Sequence, residues 1–332
     1  MKRLFTGMYL AIFGLMGLSL PVPTTAAPIM VKLAHPNVPQ HPMGQAFITF
    51  KQLIEQRSNG KFRVDVLDSS KFGNASSVIQ GLQMGMLQMG SESTSNLSIA
   101  NDKLLLFDMP FLFSDYASTD IITDGPIGQE LAKSLERTGI IGLGYIDIGF
   151  RNLYNGKKAI TVLNDAKGMK IRATNSKAHL SILKLLGMNP TPMGWSEVYT
   201  ALQQGTVDGV DIDLNLAWYN NFHEVNKNVT IINSFYSPHM VMMSKKFMNT
   251  LSPTDKKMFL DTFHEVQLLE RNMIRENEKM IVEKMQQMGI KVVVISPEER
   301  AQWQQATQGI YTQFAKQVPP ALVQQVREAI KK

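Results

Sequence analysis

The residues from Ser252 to Gly289 set the scale of the molecule. Ser252 reads as a helix N-cap, Pro253 sits at the first helical position and Asp255 falls at N3. Apolar residues recur behind them at Phe259, Phe263, Val266, Met273, Met280 and Met288, and Gly289 stops the run. At 1.5 Å per residue the helix is about 54 Å long, more than one small domain is wide. Two arrangements accommodate it: a spine crossing two lobes, or a coiled coil with a partner. The apolar spacing is too irregular for heptads, which favours the spine.

The 332 residues leave room for about two domains. Hydrophobic content of 44% and charged content of 19% suit a soluble globular chain. The absence of cysteine excludes disulfides, thiolate metal sites, cysteine nucleophiles and a lipidated N-terminal cysteine. Residues 1–27 read as a cleaved secretory leader: Lys2 and Arg3, a short apolar run from Leu10 to Leu20, Pro21 and Pro23, then the small residues Thr24 to Ala27. That run is well short of the roughly 20 residues that span a bilayer. Removing Lys2 and Arg3 takes the 34 basic residues to 32 against 28 acidic ones, a net charge of +4. Such a charge helps attract anionic solutes, but with no dense Lys/Arg run it is no footprint for nucleic acid.

From Val31 to Ala34 the chain reads as a strand, and Asn37 to Pro42 as a loop past its end, which places His41 towards a crevice. A helix through Phe47, Phe50 and Ile54 and a strand from Phe62 to Leu67 complete a β-α-β order, the signature of a parallel sheet. Ser76 to Met84 reads as a helix and Met86 to Met89 as a strand with the polar end Ser91-Glu92-Ser93-Thr94. Leu104 to Phe113 reads as core, Ile127 to Arg137 as a helix and Ile140 to Tyr145 as a buried strand. GFRNLYN (149–155) reads as the crossing into a second lobe, with Arg151 either an anion contact or a hinge salt bridge. Phe222 to Val225 reads as helix; Val229 to Ile232, Ser237 to Ser244 and Ile290 to Ile295 read as strands, and helices close the chain. The strand at Ser237 returns to the first lobe and brings Tyr236 and His239 near the cleft. The expected lobes are 28–148 plus about 235–272, and 149–234 plus about 273–332.

The stretch Lys167–Asp213 carries the candidate site. A strand, Met169 to Ala173, ends around Arg172; a helix follows through Leu180 to Leu186; a turn at Thr191 to Gly194 presents Trp195; a second helix ends at Gly205; and a strand runs from Val207 to Ile212. Ligands of open α/β sheets bind past the carboxyl ends of strands, so Arg172, Trp195 and Asp211 are expected to converge there. A guanidinium fork suits a carboxylate. The segments VIQGLQMGMLQM (78–89) and VYTALQQGTVDG (198–209) echo one another as helix, glycine stop and strand. Two such units suggest a two-lobed clamp pairing Glu92 with Asp211.

Several segments also resemble a known family, the periplasmic solute-binding proteins of TRAP transporters, DctP type. They are KGMKIR, LLGMNPTPM, WSEVYTALQQGTVDG, FHEVNK, DMPFLF, GFRN and the opening KLAHPNVPQHPMGQAFITFKQLIEQRSNGKFRVDVLDSSKFGN. The resemblance covers about Val31 to the last helix. It implies a two-lobed periplasmic binding protein fold with a hinged cleft and a spine helix across both lobes. It implies that Arg172 holds a substrate carboxylate, that Asn175 adds a hydrogen bond and that Trp195 packs on the ligand. It also implies a small organic acid as ligand, TRAP membrane subunits as partner and no cofactor; the chain is expected to act as a monomer.

The strand at Val207 departs from that family. Many members read Gln-Glu-Asn-Pro after VDG, where this chain reads Val210-Asp211-Ile212-Asp213. Ile212 replaces an asparagine that supports the ligand in the family. Asp211, Asp213 and Asn215 have every-second-residue spacing, which suits a solvated face or a metal-bridged ligand; as an EF-hand it fails, Leu216 replacing the glycine. No GxSxG, HExxH or Walker loop is present, and GLG at 142–144 lacks the third glycine of a dinucleotide fingerprint. A sensing subunit for a membrane receptor and a periplasmic enzyme on the same fold are the alternative functions.

Overall fold

The structure is a computed structural model and describes residues 27–331. Apart from Ala27, the expected leader lies outside the described residues. The strands are, in chain order, β1 (Ile29–Ala34), β2 (Phe62–Leu67), β3 (Met89–Ser93), β4 (Ile140–Ile146), β5 (Asn152–Asn155), β6 (Lys170–Ala173), β7 (Asn189–Pro192), β8 (Gly209–Ile212), β9 (Asn228–Ile231), β10 (His239–Ser244) and β11 (Lys291–Val294). They form two sheets, ordered β2-β1-β3-β10-β4 and β11-β9-β5-β8-β6-β7. In the first, β1 is parallel to both β2 and β3, and β10 lies antiparallel between β3 and β4. In the second, β6 is parallel to β7 and β8, and β5 is antiparallel to β8 and β9.

The chain passes between the sheets after β4, after β9 and along the spine helix Pro253–Gln287. The first two crossings pair with one another. Phe150 and Tyr236 form an antiparallel bridge, and backbone bonds run from Arg151 N to Phe235 O (3.0 Å), Ser234 N to Arg151 O (3.0 Å) and Ser237 N to Gly149 O (3.2 Å). The hinge is therefore a two-stranded ribbon.

The spine helix has 35 residues and starts with the Ser252–Asp255 capping box read from the sequence. It packs on the helix Pro42–Arg57, β4, the helix Leu214–Tyr219 and β11, and so touches both lobes. Its middle is ionic. Arg271 meets Asp124 at 2.6 Å, and Arg275 meets Asp120 at 2.6 Å and Asp147 at 2.8 Å. Asp147 is fully buried beside the hinge, and an unpaired carboxylate there would carry a large desolvation penalty. These arginines supply its counter-charge and tie helix to ribbon. The last helix, Pro320–Ile330, returns to pack on the helix Tyr116–Thr123.

Three strands differ from the sequence reading. β3 begins at Met89 and includes Ser91–Ser93, so its polar residues belong to the strand itself. β5 lies inside the segment read only as a crossing. β7 contains Pro190, which reads as a helix stop, and Pro192, which reads as part of a turn; as the outermost strand of its sheet it tolerates proline because one edge needs no ladder donor.

Gly149 in the hinge ribbon has φ 122°, and an added Cβ would stand 3.1 Å from the Glu278 carboxylate of the spine. Glu278 accepts from the Tyr116 hydroxyl, and burial pushes its carboxyl up to about 7. The folded chain thus holds a proton there between pH 4.5 and 7 that the unfolded chain releases. Glu278 favours folding most below pH 4.5, and that contribution fades as pH rises through 7. We expect Glu278→Gln to flatten this part of the stability–pH profile and to exceed the parent by on the order of 1–2 kcal/mol at pH 8. Denaturant melts from pH 4.5 to 8 check this; parallel profiles for the two proteins would contradict it.

Candidate ligand-binding cleft

A cavity of about 300 Å³ lies between the sheets. The first lobe borders it with His35 just past β1, Glu92 and Ser93 at the end of β3, and His239 at the start of β10. From the second lobe come Arg151 just before β5, Arg172 in β6, Ile212 at the end of β8 and the loop Met193–Glu197. In both lobes the parallel strands point their carboxyl ends at the cavity, which is why chemistry gathers there.

Arg172 is 4% exposed. Its Nη2 donates to the Met193 carbonyl (3.1 Å), while its Nε is buried with no partner among the described residues. The guanidinium stands 5.8 Å from the centre of the half-buried Trp195 ring. No carboxylate among the described residues reaches salt-bridge distance of it. Burial, with neighbouring Arg151 next in weight, brings its pKa down to about 9, so the cation persists at neutral pH without full compensation.

Arg151 has partners. Its Nη1 donates to the backbone oxygen of Asp211 (2.6 Å), its Nη2 to Ser237 Oγ (3.3 Å), and the group lies 5.4 Å from the centre of the Phe235 ring. It joins hinge to sheet while one side borders the cavity. Asn175, exposed, and Trp195 border the cavity too.

Glu92 Oε1 accepts from Ser93 N (2.8 Å) and Asn96 Nδ2 (3.0 Å), and burial raises its carboxyl above the usual range. His239 holds Ser91 Oγ at 3.3 Å through Nδ1. Burial, then the neighbouring imidazole of His41, keeps His239 well below its ordinary value, so the ring is neutral.

Three expected site residues lie off the cavity wall. Asp211 turns to the other face of β8, 4.0 Å from Arg151 and 3.7 Å from His179 Nε2. Successive side chains of a strand face opposite sides, so Ile212 borders the cavity and Asp211 supports it from behind. Aligning Val78 with Val198 in the internal echo sets Glu92 against Ile212 and Ser91 against Asp211. The pairing of Glu92 with Asp211 was one residue out of register. His41 caps the helix Pro42–Arg57: its Nδ1 accepts from Met43 N (3.1 Å), and burial lowers its pKa to about 3. Tyr236 sits in the hinge ribbon and donates its hydroxyl to Asp147.

The row Asp211, Asp213, Asn215 is also broken up. Asp213 caps the helix Leu214–Tyr219 by accepting from Leu216 N (2.7 Å), and Asn215 donates to the Ile274 carbonyl of the spine (3.1 Å). No group of three or more His, Cys, Asp or Glu suited to a metal ion occurs among the described residues.

Two residues of this region escaped the sequence reading. His35 immediately follows β1, where the strand-end rule points; the reading went six residues further, to His41. Asp108 is fully buried and accepts from Ser95 Oγ in the first lobe and Ser176 Oγ in the second. Its signal was an acid inside the apolar run LLLFDMPFLF, because a buried carboxylate needs partners.

A polar, arginine-bearing cavity between two α/β lobes joined by a ribbon hinge is the anatomy of a ligand-binding clamp. Residues 33–317 match the family described as bacterial extracellular solute-binding protein, family 7 (DctP), and the chain belongs to that family, the periplasmic solute-binding proteins of TRAP transporters. Among curated relatives, the 2,3-diketo-L-gulonate-binding periplasmic protein YiaO of Escherichia coli is 31% identical over 244 residues, 74% of each chain. Among solved structures, the sugar acid binding protein DctPAm of Advenella mimigardefordensis, in complex with galactonate, superposes with a TM-score of 0.89 at 29% identity, covering 92% of this chain and 99% of that one. A TRAP periplasmic solute-binding protein of Sulfurospirillum deleyianum with bound succinate gives 0.88 at 30% identity, covering 92% and 100%.

The position of Asp211 yields an expected outcome. As the buried counter-charge of Arg151, its loss leaves a guanidinium uncompensated. Asp211→Ala should lower stability by about 3 kcal/mol, read by denaturant melts, whereas a merely solvated strand aspartate would change it by less than about 0.5 kcal/mol.

Proposed function

We propose that this chain captures a small organic acid in the periplasm and delivers it to the membrane subunits of a TRAP-type secondary transporter. The observation that carries this reading is Arg172, a buried cation at the cavity wall whose Nε has no partner among the described residues. A carboxylate supplies what the site lacks: opposite charge and two acceptor oxygens for a planar donor fork. Arg151 adds positive potential, Trp195 offers a ring face to the ligand body, and Asn175 offers an amide. Family membership supports delivery to a TRAP transporter and a binding rather than catalytic role. The chain works as a monomer in this reading and uses no cofactor.

Capture and closure are one event. The two lobes supply different walls of the cavity, and a ligand that touches both binds the closed arrangement better than the open one. The population then shifts by that difference in affinity. The hinge ribbon carries the motion, and the closed shape is what the transporter reads. Relatives that bind a sugar acid and relatives that bind a dicarboxylate resemble this chain about equally, so likeness stops at the acid.

A thermal-shift screen of the mature chain against small organic acids tests the reading. A bound acid at about 100 times its dissociation constant stabilises the fold by about 2.7 kcal/mol. Arg172→Ala should weaken that acid at least about 30-fold, the smaller end of the effect of truncating one side of a buried charge pair. Shifts with neutral or cationic solutes and none with acids would sink the proposal and assign Arg172 to structure.

A further inference from the structure

Charge is distributed unequally across the cavity. The guanidinium groups at its wall, Arg151 and Arg172, both belong to the second lobe, and the bordering residues of the first lobe include no lysine or arginine. The first lobe presents a buried carboxylate and neutral hydrogen-bonding groups instead; the second lobe's own carboxylate on the wall, Glu197, is exposed to solvent. Glu92 uses Oε1 on Ser93 and Asn96, and Oε2 takes no bond among the described residues. His35 is 1% exposed, borders the cavity and has neither ring nitrogen partnered among the described residues. Burial lowers its pKa to about 4, so at neutral pH it offers one donor and one acceptor. His239, Asn96 and Ser93 extend the same wall.

A ligand whose carboxylate sits on Arg172 therefore turns its far end to Glu92 and His35. A second carboxylate there would either meet a like charge or require Glu92 to hold a proton, in a poorly solvated site. A hydroxyl there donates to Glu92 Oε2 and exchanges bonds with the imidazole of His35. Ligands that lack the hydroxyl leave those buried groups unpaired, which is how a polar pocket discriminates strongly. On the remaining side, Ile148, Ile212, Leu216 and Trp195 form an apolar wall that suits the C–H face of a carbon chain.

We infer that the first-lobe wall of Glu92 and His35 reads hydroxyl groups and excludes a second carboxylate, so that the ligand is a polyhydroxylated monocarboxylic acid of the aldonic type. This rests on the carboxylate reading of Arg172 and goes beyond it by assigning the opposite wall. One feature competes: the first turn of the helix Ala75–Met84 also borders the cavity, and a helix N-terminus favours anions. Its cap Asn74 already satisfies Ser77 N at 3.1 Å.

Isothermal titration of the mature chain at pH 7.5 separates these outcomes, with four- to six-carbon aldonates set against four- to six-carbon dicarboxylates. The best aldonate should bind at least about 30-fold tighter than the best dicarboxylate. Glu92→Gln keeps the shape and the Oε1 acceptor; it should narrow that ratio at least tenfold, weakening the aldonate and strengthening the dicarboxylate. His35→Leu, on another strand end, should weaken the aldonate about tenfold and leave the dicarboxylate nearly unchanged; it is decisive on its own if Glu92→Gln melts early. A dicarboxylate that equals or outbinds every aldonate overturns the inference, as does a ratio that neither variant moves. If that dicarboxylate is lost in Arg172→Ala, the carboxylate reading stands and only the hydroxyl wall falls. If no acid of either class binds the parent chain, both fall.

Discussion

Of the two buried guanidinium groups at the cleft, Arg151 has a carboxylate at 4.0 Å and Arg172 has none within salt-bridge distance among the described residues, and the cleft is organised around that imbalance. Asp211 stands behind β8 within reach of Arg151 and His179, and Arg151 is further held by Ser237 and the Phe235 ring. Arg172 is left with a carbonyl and an aromatic face. Buried charge without a partner is destabilising, and in the proposed binding mode the ligand's carboxylate offsets that cost. Asp211 stands outside the cavity as the counter-charge of Arg151, and in the proposed binding mode Arg172 is the guanidinium left for the ligand.

A site of this kind needs lobes that move without losing alignment. The ribbon at Phe150–Tyr236 joins the lobes, and its buried residues are tied to the spine by charge. Asp147 receives the Tyr236 hydroxyl and the Arg275 guanidinium, and its backbone N–H donates to Glu270 at 3.0 Å. A displacement of the ribbon would therefore act on the helix as well. Asp108, with a serine from each lobe on its two oxygens, ties the lobes together at a second point. Such multi-partner acids favour discrete arrangements over a continuum, because breaking one bond leaves a buried carboxylate exposed to its own desolvation penalty.

Local signals carried much of this. The capping box and proline of the spine, the β-α-β order and the position of Arg172 are short-range features, and each was legible. Side-chain facing was not. Glu92 and Asp211 looked equivalent in the echo, yet one residue of register puts them on opposite sides of their sheets. His41 looked like a crevice residue because it is polar and follows a strand, and it turned out to be a helix cap. That competition between capping and binding is settled by the backbone direction of the loop, which residue types do not encode. β7 was missed because prolines argue against a strand, and only sheet order shows that it is an edge.

The internal echo explains how one fold produces an asymmetric clamp. Each lobe presents a helix, a glycine stop and a strand whose last residues face the cavity, so the two walls begin as equivalent scaffolds. At matching register the first lobe carries Glu92 and the second Ile212. The acceptor thus stands on one wall, while on the other the arginine comes from the neighbouring strand, β6. A ligand with a negative end and a donor-rich end matches this polarity in one orientation only. Reversing it would set carboxylate against Glu92 and hydroxyls against Arg172, an arrangement poor at both ends. In the proposed binding mode this polarity fixes the ligand's orientation.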